Sequence, residues 1–119
     1  MKLRDTYTCP LELTHDMIKG KWKPIILWQL SKGGASLSAL KKSIQGISQK
    51  ILVQHLNELL DCGLIGKTIQ TGYPLKSEYF LVERGKQMFE AISIMQRIGI
   101  EMMIEDHRED FLKEKGLLQ

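Results

Sequence analysis

The stretch Gly46-Ile47-Ser48-Gln49-Lys50-Ile51-Leu52-Val53-Gln54-His55-Leu56-Asn57-Glu58-Leu59-Leu60-Asp61-Cys62-Gly63 decides how this chain is read. Gly46 tolerates a left-handed turn, and Ser48 is a good N-cap because its hydroxyl accepts from a backbone N–H that a helix start leaves unpaired. A helix is therefore expected to open at Ser48 and close at Gly63. Leu52, Leu56, Leu59 and Leu60, with Leu64 beyond the end, recur at three- and four-residue spacing, while Gln49, Lys50, Val53, Gln54 and Asn57 share the other side. Asn and Gln carry a paired donor and acceptor that fit adenine N6 and N7, and Lys reaches guanine or phosphate, so the polar side suits a DNA major groove. An ordinary solvated amphipathic helix has the same polarity, and the neighbouring segments must decide between the two.

Trp22 to Leu30 is strongly apolar, and Ser31-Lys32-Gly33-Gly34 is turn chemistry that stops it. Ser36 or Ser38 then caps a short helix whose Leu37, Leu40 and Ile44 face inward and whose Lys41 and Lys42 face outward. Beyond Gly63, Leu64 to Gln70 and Ser77 to Val82 are rich in β-formers, and Thr71 to Lys76 between them supplies Gly72 and Pro74, so a hairpin is expected with Lys76 at its tip. Helix, short helix, turn, longer helix and hairpin, in that order, are the elements of a winged helix-turn-helix. The expected fold class is α+β, mainly α, with a two-stranded wing and additional N- and C-terminal helices.

These residues also carry a family resemblance. Cys9-Pro10-Leu11-Glu12, Gly20-Lys21-Trp22, Leu37-Ser38-Ala39-Leu40, Gly46-Ile47-Ser48-Gln49-Lys50, Leu56-Asn57-Glu58-Leu59, Gly63-Leu64-Ile65 and Glu78 to Gly85 resemble the HxlR family of bacterial winged-helix transcriptional regulators, from Cys9 to about Gly99. The resemblance implies a homodimer related to MarR proteins that binds double-stranded DNA, with the helix from Ser48 as recognition helix and the hairpin as wing; a twofold dimer then predicts a palindromic operator. It also implies a regulatory thiol at Cys9, since several members sense quinones, aldehydes or oxidants through a Cys-Pro pair at this place. The chain departs from the family pattern at Gln49, where Pro is common, and at His55 and Asn57, where Arg is common. Val82 stands where a Thr usually caps the next helix, so that helix is expected to start a residue or two later.

With 119 residues, 43% hydrophobic and 26% charged, the chain has material for a single small core, expected over residues 9–119 behind a flexible arm at 1–8. No apolar run approaches the ~20 residues that span a bilayer, and Lys2, Arg4 and Asp5 leave no signal-peptide core, so a cytoplasmic protein without membrane contact is expected. The net charge of +3 is uneven: residues 1–100 carry 14 Lys/Arg against 8 Asp/Glu, whereas residues 101–119 carry 3 against 6. The basic body attracts phosphate, and the acidic tail is not the DNA-facing part. Ser36, Ser38, Lys41, Lys42 and Lys76 are the expected phosphate contacts; Ser48, Gln49, Lys50, Val53, Gln54 and Asn57 complete the expected DNA face.

From Glu83 to about Lys113 the chain lacks Pro and is broken only by Gly85 and Gly99, which fits two helices or one kinked helix. Phe89, Ile92, Met95, Ile98 and Met102 form one apolar stripe, and Ile94, Ile100, Met103 and Ile104 widen it. Such a surface is expected to form a dimer interface with the helix around Leu11 to Ile18. Two cysteines in a chain of this kind are not a disulfide framework. Cys62 reads as a quiet packing residue, whereas Cys9, ahead of Pro10, sits at a helix N-terminus whose dipole favours negative charge on sulfur. His15, His55 and His107 lack metal-ligand spacing, and no phosphate loop, nucleophile elbow or carboxylate pair is present, so neither cofactor nor enzymatic activity is implied. Two other readings stay open: a small electrophile at Cys9 replaced by a noncovalent ligand, and a protein-interaction module that does not bind DNA.

Overall fold

A computed structural model describes residues 4–72 and 76–118. The elements run α1 (Pro10–Met17), α2 (Trp22–Leu30), α3 (Leu37–Ser43), α4 (Gln49–Asp61), β1 (Ile65–Gln70), β2 (Lys76–Leu81), α5 (Glu83–Glu105) and α6 (Glu109–Glu114). This is the mainly helical, winged helix-turn-helix class expected. The turn residues Tyr73, Pro74 and Leu75 lie outside the described residues, as do the first three residues and Gln119. Among the described residues no helix is long and apolar enough to cross a membrane.

The helical starts follow local chemistry. Ser36, not Ser38, caps α3: its Oγ accepts from the Ala39 N–H at 3.1 Å, and Ser48 Oγ does the same for Ile51 N–H of α4 at 3.2 Å. At the other end of α4, Gly63 adopts φ 75, and the N–H groups of Gly63 and Leu64 donate to the carbonyls of Leu60 and Leu59, both at 3.1 Å. That Schellman closure turns the chain straight into β1. Leu64, read as the first strand residue, is the closing residue of this motif, and β1 begins at Ile65.

The chain forms two compact units, Met1–Phe89 and Glu90–Gln119, with α5 running through the boundary. In the first, α2, α3, α4 and the hairpin pack on one another around Ile26, Leu27, Leu40, Ile44, Ile47, Leu52, Leu56, Leu59, Leu64 and Tyr79. The strands are antiparallel with Ile65 opposite Leu81 and Gln70 opposite Lys76. A third pairing ties the hairpin to the α2–α3 connection: Ala35 and Tyr79 exchange both backbone hydrogen bonds, at 2.9 and 2.8 Å.

Helix α5 starts at Glu83, directly after Val82, and not a residue or two later. Val82 offers no side-chain acceptor, yet its carbonyl takes the Lys86 N–H at 2.9 Å while its own N–H donates to Leu64 at 3.2 Å, which fixes the helix start from the backbone alone. Neither Gly85 nor Gly99 breaks the helix. The break falls after Glu105, where His107 takes φ 58 and the Arg108 N–H returns to the Met103 carbonyl at 2.8 Å, leaving α6 as a separate short helix in the second unit. There Leu112 is fully buried, whereas Ile94, Met95, Ile98 and Met102 are exposed.

Gly85 is required by close approach: a Cβ built there would lie 2.0 Å from the carbonyl oxygen of Leu64, a backbone atom held by its own hydrogen bonds. In an unhindered helix Gly→Ala stabilises by about 1 kcal/mol. Here Gly85→Ala is expected to reverse that sign and cost about 1–3 kcal/mol through overpacking, measured as a lower urea midpoint; a raised midpoint would contradict the packing described.

Candidate nucleic-acid interface

Helix α4 presents Gln49, Lys50, Gln54 and Asn57 exposed on one face, opposite Leu52, Leu56 and Leu59, which are fully buried. Val53 lies beside that face and is half-buried. The face exists because the leucines take the inward positions of the helical repeat, and its direction is set by the Ser48 cap and the Gly63 closure. On α3, Lys41 and Lys42 are exposed, as is Ser38, whose Oγ lies 3.2 Å from Ser36 Oγ. Ser36 is half-buried with its oxygen already accepting from Ala39, so only its hydroxyl hydrogen remains to offer an anion. Lys76 is exposed at the first position of β2, opposite Gln70.

Three polar residues escaped the sequence reading. Lys67 is exposed on β1, with Nζ 5.5 Å from the Tyr79 ring centroid, and adds a cation to the hairpin. Lys23 is only 6% exposed, although it belongs to α2, and its Nζ meets Glu58 Oε2 of α4 at 2.5 Å. Glu58 in turn accepts from Gln54 Nε2 at 3.2 Å. The signal for Lys23 was its place in an otherwise apolar run; the signal for Glu58 was its i+4 relation to Gln54. Lys23, Gln54 and Glu58 border an open polar cleft of about 450 Å³ that Arg4 and Asp16, paired at 2.8 Å, also line.

Cys9 is exposed and is the N-cap of α1, followed by Pro10. The first turn is held by Glu12, whose Oε1 accepts from the N–H of Thr8 at 2.6 Å, the N–H of Cys9 at 3.0 Å and the Thr8 hydroxyl. The Thr8 hydrogen bonds hold the Glu12 carboxyl below the usual carboxylate range. Arg4 adds an ion pair to Glu12 at 3.2 Å. Cys62 is different: it is the C-cap of α4, half-buried, with Sγ 3.6 Å from the Leu59 carbonyl, and burial pushes its thiol up. Both cysteines are free. Among the described residues no group of three or more His, Cys, Asp or Glu is placed to hold a metal ion.

Comparison with known proteins agrees with this architecture. Residues 17–107 match the family described as HxlR-like helix-turn-helix. The chain is similar to MalR of Fusobacterium mortiferum, which is named as a regulatory protein, at 37% identity over 102 residues, 85% of this chain and 96% of that one. It is similar to YkvN of Bacillus subtilis, named as a helix-turn-helix-type transcriptional regulator, at 38% identity over 82 residues, 69% and 70% of the two chains. Among solved structures it resembles the redox regulator HypR in its oxidised form, with a TM-score of 0.75 and 30% identity across 78% of this chain and 96% of that one.

The hydrogen bond from Lys23, ahead of other causes, lowers the Glu58 carboxyl below its ordinary value of 4.5. The pair therefore contributes fully to stability above that value and ceases to contribute as pH falls through the lower value of the folded state. Wild type should be more stable than Glu58→Gln near neutrality, and the two urea-unfolding curves should converge in acid. A gap that persists there would assign the effect to something other than ionisation of Glu58.

Proposed function

Because the chain belongs to the HxlR-like helix-turn-helix family, we propose that it is a homodimeric, sequence-specific DNA-binding regulator that takes its signal through Cys9. The observation that carries the DNA reading is the exposed row Gln49, Lys50, Gln54 and Asn57 on a helix whose direction both ends fix. Amides and a lysine so arranged match base edges in the major groove, with Val53 offering apolar contact to a thymine methyl. Ser36, Ser38, Lys41, Lys42 and Lys76 are the phosphate-binding groups of this reading, and Ser48 adds a backbone contact at the helix start.

Self-association is supported by Ile94, Met95, Ile98 and Met102, 49 to 63% exposed on α5, and by Leu11, 72% exposed on α1. Two copies related by a twofold axis place their recognition helices about one DNA turn, ~34 Å, apart, which calls for a palindromic operator.

The sensing role of Cys9 is supported by its exposure at a helix N-cap and by likeness to a protein named as a redox regulator. Addition of its sulfur to an electron-poor quinone carbon, or its oxidation by a peroxide to a sulfenic acid, changes the group that must share the first turn of α1 with Glu12. Cys62, half-buried with a raised thiol, is the poorer nucleophile.

Lys50→Ala should lower affinity by about 1–3 kcal/mol and relax preference at one base position, whereas Lys76→Ala should weaken all sequences alike and flatten the salt dependence. Equal loss on every duplex for both variants would remove the base-reading role of Lys50. The sensing reading is tested by mobility shift on DNA from upstream of the gene, with wild type and Cys9→Ser, with and without a quinone, and with a peroxide followed by reductant. Loss of the wild-type shift, restored by reductant after peroxide and absent in Cys9→Ser, is expected. A specific shift indifferent to both reagents would discard Cys9 as the sensor, and a response kept by Cys9→Ser would favour a noncovalent ligand.

A further inference from the structure

Gln54 stands on the outer face of α4 with a property its neighbours there do not share: its amide has one end assigned. A side-chain amide offers a donor end and an acceptor end of nearly the same shape, so an exposed Gln can present either order to a base. At Gln54 the choice is made from behind. Nε2 faces Glu58 Oε1 at 3.2 Å, and an ionised carboxylate only accepts hydrogen bonds. The NH2 end must therefore point to Glu58, and the amide cannot turn over while Glu58 stays in place and charged.

What keeps Glu58 in place is Lys23. Lys23 lies in the first turn of α2, is 6% exposed as a residue, and its Nζ reaches Glu58 Oε2 at 2.5 Å. A cation on so buried a side chain is costly without a partner, so Glu58 cannot swing to solvent without stranding it. Each Glu58 oxygen thus has one task, Oε2 for Lys23 and Oε1 for Gln54. Arg4, which lines the same cleft, is paired with Asp16 at 2.8 Å.

We propose that Lys23 and Glu58 are positioning residues for base readout, holding the Gln54 amide so that its second N–H and its Oε1 face outward in one fixed order. That order is the one that donates to adenine N7 and accepts from adenine N6. The pair thereby determines specificity from beneath the DNA face, without touching DNA. The proposal rests on the reading of Gln54 as a base-contacting residue.

The test uses the duplex that the wild-type chain enriches from a random-sequence pool, together with its single-base variants, and compares wild type, Gln54→Ala, Lys23→Met, Lys23→Arg and Glu58→Gln. Gln54→Ala first identifies the base position that Gln54 reads. At that position Lys23→Met and Glu58→Gln should each reduce the preference about fivefold or more, the lower end of what one bidentate contact provides. Glu58→Gln keeps the shape, but its carbonyl must accept from the Lys23 ammonium, so its NH2 end faces Gln54 and the assigned order of the Gln54 amide is lost with least disturbance. Lys23→Arg should retain the preference, and neither Lys23→Met nor Glu58→Gln should reduce it further in the Gln54→Ala background. Uniform weakening on every duplex, or an undiminished preference in folded Glu58→Gln, would overturn the positioning role and leave Gln54 as a reader. Enrichment of no duplex by wild type, or unchanged discrimination in Gln54→Ala, would overturn the reading beneath it and the proposal together.

Discussion

The backbone of Leu64 holds the first unit together. Its N–H closes α4 onto Leu59, its carbonyl takes the Val82 N–H at the far end of the hairpin, and Gly85 of α5 passes against the same carbonyl with no room for a Cβ. The side chain is fully buried, so no water can replace any of these partners. Helix α4, the hairpin and the first turn of α5 therefore share one fixed point, and none can tilt without breaking a buried hydrogen bond or opening a packed contact. The Ala35–Tyr79 bridge adds a second tie, from the other strand to the start of α3. Between them, the two ties fix how the hairpin stands relative to both helices of the helix-turn-helix.

A rigid frame leaves the polar face of α4 to be set by its own side chains, and here stability and specificity part. Removing one partner of a pair as buried as Lys23, at 6% exposure, is costly, yet replacing the pair by apolar residues of similar size often serves the fold as well. What an apolar residue at 23 does not provide is a charged anchor for Glu58. The ion pair makes physical sense as a device that selects one arrangement of polar atoms, while the fold itself rests on Leu52, Leu56 and Leu59 of α4, which are fully buried.

Much of the architecture was legible because it is local. Ser36, Ser48 and Gly63 act through groups within a few residues of themselves, and the spacing of Leu52, Leu56 and Leu59 reports the inward face directly. The features that escaped depend on long-range contact or on isolated residues. A single bridging pair at Ala35 has no periodicity to detect, and Val82 starts α5 through backbone bonds that no side chain announces. His107 ends α5 in a conformation that glycine usually supplies, which a search for Gly punctuation passes over. Lys23 and Glu58 lie on different helices, and only the packing of α2 on α4 makes them partners. The outward polar row could be read from the sequence, but what holds one of its members in place could not.

The N-terminus of α1 constrains how the proposed thiol input can work. The N–H groups of Thr8 and Cys9 already serve the Glu12 carboxylate, and Arg4 pairs with the same group, so a sulfur at Cys9 shares the helix start with a negative charge. What Cys9 has is exposure and membership of a cap whose extended backbone, φ −156 and ψ 140, must persist for Glu12 to keep its hold. A substituent on Cys9 that disturbs this backbone releases the cap, which is worth about 0.5–2 kcal/mol per helix. One such release changes an equilibrium by roughly tenfold, since about 1.4 kcal/mol corresponds to a factor of ten. Two caps released together in a symmetric dimer reach about 1–4 kcal/mol, short of the ~5.5 kcal/mol that turns an equilibrium from 1:99 to 99:1 but enough to shift it several-fold or more. On this arithmetic the thiol reading is most effective in a dimer, and the exposed apolar row on α5 and the exposed sulfur on α1 belong to one functional argument.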